Sequence, residues 1–374
     1  MTTRKTSGLQ KAERNAPDVA GRPAWAVDEN EPVSAEASAW AIRLFLGRPP
    51  RDDAEIEFHR KNADIARLRR AFANTAEFKR FFNSGAPYRA PLFLLSPPDD
   101  PAAPWRLEPP TLEAPVSQLC TYDQMVSDGY RELVSALGLT PSLHRKQWEF
   151  AYILAVMRQS GVLQAGKRAL GFGVGREPTP SLLARFGLEV VATDAPPEAI
   201  AGVGWETTNQ HSAALDELHH PRLVDRETFR RQVSFRPVDM NAIPDDLEGF
   251  DVCWSSCCFE HLGSIKHGLD FVENSLRTLK PGGWAVHTTE FNLDSNAQTV
   301  ETPTLSLFRK RDFEDLAGRL VADGHTVLPL NFHPGDRELD AHIDVPPYGP
   351  QHLKLMLGMV TCTSFGIAVR KRAA

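Results

Sequence analysis

Two short stretches of this chain carry side chains suited to moving a proton. His287 and Glu290 stand three residues apart in "HTTEF", and Glu260 precedes His261 in "SSCCFEHLGS". Imidazole and carboxylate are the common general bases. Each stretch ends or follows an apolar run, which puts both near the carboxyl ends of strands, where open sheets bind their ligands. Alternation sends His287, Thr289 and Phe291 to one side and Thr288 and Glu290 to the other. His287 and Glu290 therefore form a same-face pair only if the strand ends between them. His287, Glu290 and Asp294 offer ligands for a divalent ion, but their spacing matches no specific pattern and no metal is expected.

A second kind of chemistry is suggested by "RALGFGVGREPTP", residues 168–180, where Gly171, Gly173 and Gly175 alternate with other residues. A pyrophosphate cradle wants G-x-G-x-x-G. Arg176 stands where its third glycine belongs. Acids close the strands that follow: Asp194 ends "LEVVATD", and Asp239, with Met240 after it, ends "SFRPVDM".

These residues need elements to hold them. Residues 1–34 are rich in alanine, proline and charge and predict a disordered tail. Residues 35–85 predict a small all-α module, with Trp40, Ile42, Leu44, Phe45 and Leu46 near one face of its first helix. Residues 86–116 hold nine prolines between 86 and 115 and predict an extended, semi-rigid linker. Residues 117–165 read as a helical cap. From 166 to 374 seven strands alternate with helices: "RALGFG", "LEVVATD", "SFRPVDM", "FDVCWSS", "GWAVHTTEF", "HTVLPLNF" and "MVTCTSFGIAVRK". That alternation predicts an α/β fold with a doubly wound, mostly parallel Rossmann-like sheet.

The order of the glycine loop, the two strand-terminal acids, "FDVCWSS" and "LRTLKPGGWAVHTTEF" resembles class I S-adenosylmethionine-dependent methyltransferases. The resemblance implies S-adenosylmethionine as cofactor and contacts to it from Gly171, Phe172, Gly173, Gly175, Asp194, Ala195, Asp239, Met240 and Ser255. The glycines would leave room for the methionine and ribose parts. Asp194 would accept from the ribose hydroxyls, and Asp239 and Met240 would line the adenine. Ala169 departs from the family, which carries an acid there; Glu149, in "HRKQWEF", is the expected substitute. An alcohol acceptor would need a base, expected among His287, Glu290 and His261, although a Glu-His pair like 260–261 often packs rather than reacts in this fold. Trp205, His211, Tyr348 and His352 are expected around the acceptor.

The "LFLGR…AEF" elements of residues 35–85 weakly resemble a helical domain found on bacterial enzymes of glycan assembly, which implies a sugar or glycan acceptor. A net charge of −6 argues against a nucleic-acid partner. Five cysteines without framework spacing, no signal-like start and no long apolar run predict a cytoplasmic protein with reduced thiols and no membrane span. The oligomeric state stays open, with a homodimer one option. A nicotinamide-dependent nucleotide-sugar oxidoreductase and a non-catalytic scaffold are the competing readings; Arg176 opposes the first and Ala169 supports the second.

Overall fold

The computed structural model describes residues 32–46, 48–76, 78, 88–196, 211–212, 214–345, 348–357 and 360–373. The tail up to residue 31 and Trp205 lie outside the described residues. The chain divides into two compact units, Met1–Gly85 and Ala86–Ala374.

In the first unit, α1 (Ala35–Leu46), α2 (Asp53–Arg60) and α3 (Ile65–Ala73) surround Ile42, Leu46, Leu68 and Phe72. Asp52 and Asp64 cap α2 and α3 by accepting from the amides of Glu55 and Arg67. The inward row of α1 is Ser38, Ala41, Ile42 and Leu46. Trp40 and Leu44 are exposed, contrary to the single apolar face expected, because each stands about 200° around the helix from Ile42.

In the second unit, the proline-rich segment is not a free linker. It runs as a strap against the sheet domain, through the short helix α4 (Leu92–Leu95). Leu94, Ala103 and Leu112 are buried. The Tyr88 hydroxyl donates to the Leu293 carbonyl, and Arg106 N and Leu330 N exchange hydrogen bonds with Leu330 and Pro104 carbonyls. Proline removes donors but leaves carbonyls and apolar side chains free to pack, so proline content alone does not predict an isolated spacer.

The cap region holds one strand, β1 (Ser117–Leu119), where only helix was expected, and then α5 (Tyr122–Val126), α6 (Asp128–Ala136) and α7 (Arg145–Gln159). Downstream come β2 (Arg168–Phe172), α8 (Thr179–Arg185), β3 (Glu189–Asp194), α9 (Arg226–Gln232), β4 (Val233–Pro237), β5 (Phe250–Ser256), α10 (Ile265–Ser275), β6 (Leu279–Asn292) and α11 (Lys310–Ala322). The chain closes with β7 (Thr326–Val327), β8 (Leu330–Asn331), β9 (Ile343–Asp344), β10 (Lys354–Leu357) and β11 (Val360–Arg370). The sheet runs β4-β3-β2-β5-β6-β11-β1-β8, with β7, β9 and β10 off that path. β2 to β6 are parallel and β11 is antiparallel to β6. The sheet thus has eleven strands rather than seven. One added member is β1, which enters from upstream and pairs with both β11 and β8.

Helices α6 to α9 share one hydrophobic cluster with one face of the sheet, and α10 and α11 share another with the opposite face. Gly366 of β11 lies under the Tyr152 ring of α7, where a Cβ would collide. Gly282 takes φ +78° at the turn into the body of β6, as a tight turn requires. No helix among the described residues is long and apolar enough to cross a membrane. All five cysteines are free thiols.

Candidate active site

The carboxyl ends of β2, β3 and β5 build the first half of the site. After β2 the chain turns through Gly173 (φ +57°) and Gly175 (φ +51°). The amide of Gly175 donates to Asp194 Oδ2 at 3.2 Å, Ser212 N to the same oxygen at 2.9 Å, and Ala195 N to Oδ1 at 2.8 Å. Burial raises the Asp194 carboxyl above its usual range, and these amides pull it back only in part. His211 Nε2 bonds the Ala195 carbonyl at 2.9 Å, which sets this residue beside Asp194. Met240 is buried near Gly173: a Cβ on that glycine would lie 3.5 Å from the Met240 sulfur and 2.9 Å from Cys258 Sγ. Asp239 is exposed, its carboxylate accepting from Asn241 N.

At Gly171 the reason for the glycine differs from the expected one. A Cβ there would lie 2.5 Å from both the Trp254 ring and Val174 Cγ1, so the missing side chain makes room for the protein's own core. The Trp254 indole in turn donates to Glu177 Oε1 at 2.7 Å. Burial pushes the Glu177 carboxyl up to about 8, against that hydrogen bond.

The second half lies at the ends of β5, β6 and β11, facing α7. Cys257, with φ +49°, is the one non-glycine residue among those described in the left-handed region, a conformation that costs energy for a side-chain-bearing residue. Its amide donates to the Thr288 carbonyl at 2.9 Å. Its thiol, kept protonated by burial and by neighbouring Glu149 and Glu260, donates to Glu260 Oε1 at 2.6 Å. Thr289 Oγ1 donates to Glu260 Oε2 at 2.9 Å. Burial raises the Glu260 carboxyl. The neighbouring Glu290 is lowered instead: burial opposes ionisation, but the Arg145 guanidinium paired with it wins. Arg145 also reaches Glu149 at 3.3 Å and Ser364 Oγ at 3.2 Å, and its Nε has no partner among the described residues. Glu149 further accepts from Ser364 at 2.6 Å, Thr288 at 2.9 Å and Ser256 at 3.3 Å.

Several expected site residues lie elsewhere. His287 is fully buried, with Ser255 Oγ at 2.8 Å from Nδ1 and Ser275 Oγ at 3.0 Å from Nε2. Phe259 and Phe271 flank it, and burial holds its pKa down at about 3. It is a neutral core histidine, not a base at the strand ends, and Ser255 is its partner rather than a cofactor contact. The Phe172 side chain packs on Phe271 in the same core, leaving only its carbonyl toward Cys258. Glu149 is locked among hydroxyls and Arg145 in the second half of the site, and does not stand in for the acid missing at Ala169. His261 bonds the Thr304 carbonyl at 2.6 Å and lies 4.0 Å from Glu260. His352 pairs with Asp344 at 2.7 Å and stacks near His144, while the Tyr348 hydroxyl donates to Met356 O. The His352 carbonyl accepts from Arg145 N, so this pair borders the start of α7. Asp294 accepts from Thr361 N.

A family model described as "Methyltransferase domain" matches residues 144–331, half of the chain, from the start of α7 to β8. The chain belongs to the S-adenosylmethionine-dependent methyltransferases. Solved structures similar to it include a Galdieria sulphuraria protein assigned as a sarcosine dimethylglycine methyltransferase (14% identity, 66% of this chain and 99% of that one, TM-score 0.38). Others are an O-methyltransferase family protein from Burkholderia thailandensis (14%, 62% and 61%, 0.33) and the CcbJ methyltransferase from Streptomyces caelestis (12%, 57% and 92%, 0.33). None of the curated proteins matches.

The donor set of this methyltransferase fits its cofactor. S-adenosylmethionine offers an ammonium, a ribose diol and an exocyclic amine, all donors. Asp194, Glu177 and Asp239 around the glycine loop are acceptors when ionised, and would repel a pyrophosphate. A metal fits less well. Cys257, Glu260 and Glu290 bring donor atoms within 4.8 Å of one another, but Arg145 already neutralises Glu290. Lys146 is held protonated beside them: burial opposes its charge, but the Glu149 carboxylate favours it. Three residues escaped the sequence reading. Glu177 follows the glycine loop directly, and Arg145 stands four residues before Glu149 on a helix, so both were within reach of pattern reasoning. The left-handed turn at Cys257 leaves no mark in sequence.

Proposed function

We propose that this methyltransferase transfers a methyl group to a hydroxyl oxygen of a small polar acceptor, with a sugar or glycan intermediate the favoured class. The reading is carried by one adjacency. Gly173 packs against Cys258, and the next residue back, Cys257, begins the chain of hydrogen bonds through Glu260 to Thr289. The cofactor loop and a buried carboxyl of raised affinity for protons therefore meet at one edge of the sheet.

S-adenosylmethionine supplies a methyl carbon made electrophilic by its sulfonium. With the cofactor bound, Glu260 would take the proton that the acceptor hydroxyl gives up on methylation. A carboxyl whose pKa is raised by burial suits this task. Arg145 and Glu290 fix the floor of the acceptor side, with Tyr348 and His352 at its border. Orientation supplies much of the acceleration in such a displacement. The sugar class is supported by the resemblance of residues 35–85 to a domain of glycan-assembly enzymes, and a cytoplasmic setting by the five free thiols.

Thermal-shift titration with S-adenosylmethionine, S-adenosylhomocysteine and NADH tests this reading. Stabilisation by the first two alone supports it, and stabilisation by NADH alone overturns it. Asp194→Ala should lose most of the response; if it binds as well as wild type, the ribose contact is misassigned.

A further inference from the structure

The departure at Ala169 leaves the amino end of the cofactor without its usual acid. We propose that Glu177 is that acid: its carboxylate enters from the loop after the glycines, held on Trp254, and takes the ammonium of the cofactor's amino-acid end. The inference rests on the cofactor reading above.

The geometry comes from the register of two strands. Ala169 and Gly171 alternate onto the same face of β2, beside Val252 and Trp254 of β5. That face carries no side chain at Gly171 and only a methyl at Ala169. Trp254 fills the space over Gly171, its ring 2.5 Å from where a Cβ would lie. Its Nε1 then fixes Glu177 Oε1 at 2.7 Å. A carboxyl group therefore occupies the neighbourhood of the bare face of β2, delivered by the turn Gly175–Pro178 instead of by the strand. The small residue on the strand, the glycine beneath the indole and the acid after the loop form one arrangement.

Glu177 is buried, and no cation is paired with it among the described residues. The charged groups facing it are Asp194, from the end of β3, and Glu149, from α7, both acids that raise its pKa further. His220 touches only its backbone. A buried carboxyl in such company is completed by a positive ligand. An α-ammonium supplies that charge, received by the Glu177 carboxyl beside its hydrogen bonds from Trp254 and Thr179.

The test separates the two ends of the cofactor. S-adenosylhomocysteine carries the amino-acid end, and 5′-methylthioadenosine lacks it. Glu177→Gln keeps an acceptor for Trp254 and removes the charge. It should weaken S-adenosylhomocysteine at least about tenfold, the loss of one charge-assisted hydrogen bond, and leave 5′-methylthioadenosine within about twofold. Equal loss for both ligands, or for neither, overturns the assignment. Failure of wild type to bind either ligand overturns the cofactor reading itself. Should E177Q not fold, calorimetry of wild type at pH 7 in buffers of different ionisation heat provides a second readout. Binding of S-adenosylhomocysteine should release close to one proton as Glu177 ionises, and 5′-methylthioadenosine none. Release of no proton by the former contradicts the proposal.

Discussion

The two faces of β6 set the same problem and solve it in opposite ways. His287 and Glu290 are both buried, three residues apart on one strand. On one face His287 meets two serine hydroxyls and two phenylalanine rings, and stays neutral. On the other Glu290 meets the Arg145 guanidinium and stays charged. Hydroxyls satisfy a neutral ring without supplying charge, whereas the guanidinium makes ionisation the cheaper state. Residue type marks a candidate for chemistry; the partners on its face decide whether the group can take part.

The comparison can be broken or sharpened by substitution. The largest effect is expected at the carboxyl that neither face neutralises. Glu260→Gln should lower kcat by roughly 10²–10⁴, while S-adenosylhomocysteine binding, measured by calorimetry, stays near wild type. An unchanged kcat would remove Glu260 from the proton path.

Arg145→Ala comes next. It strands Glu290 as an uncompensated buried charge, and should cost about 3–5 kcal/mol in urea unfolding. Adding Glu290→Gln to that variant should return part of the loss. If the single and double variants are equally unstable, the pair is not coupled as its geometry implies.

His287→Gln should have a smaller cost, about 1–2 kcal/mol, since an amide can still bond the two serines. Its kcat, once folded, should match wild type; a large drop would return His287 to the list of reacting groups.

A further effect is in pH. The folded His287 has its pKa pulled from 6.5 to about 3, so its stabilising contribution is present above pH 6.5 and is lost as pH falls toward 3. Wild type should therefore lose stability with acid faster than His287→Gln, by up to about 1.4 kcal/mol per pH unit. Melting curves at pH 7, 5.5 and 4.5 would reveal it, and parallel curves would contradict it.

The sequence made the parallel core of the fold readable because each strand from β2 to β6 is a short apolar run between helix-period segments. The placing of Asp194 at the end of β3 beside the glycine loop was readable too, since an acid closes an apolar run there. The failures have a common cause. His287, Ser255 and Phe172 were placed on the ligand side from their neighbours in sequence, but the pleat turned them toward α10. Glu149 looked like an acid for the cofactor until its four partners, all distant in sequence or on another turn of helix, were seen together. The proline-rich strap was misread because packing of its leucines depends on a sheet surface that composition does not describe.

That strap and the strand after it bear on how the molecule is made. Ser117 accepts, through its hydroxyl, a hydrogen bond from an amide 251 residues later, and β1 has β11 as its neighbour in the sheet. During synthesis the earlier segment must wait, unpaired, until β8 and then β11, both far downstream, leave the ribosome. Joining contacts so remote in the chain is slow. A nascent protein of this design spends its waiting time with an open sheet edge, the state in which chaperones and neighbouring chains compete for it.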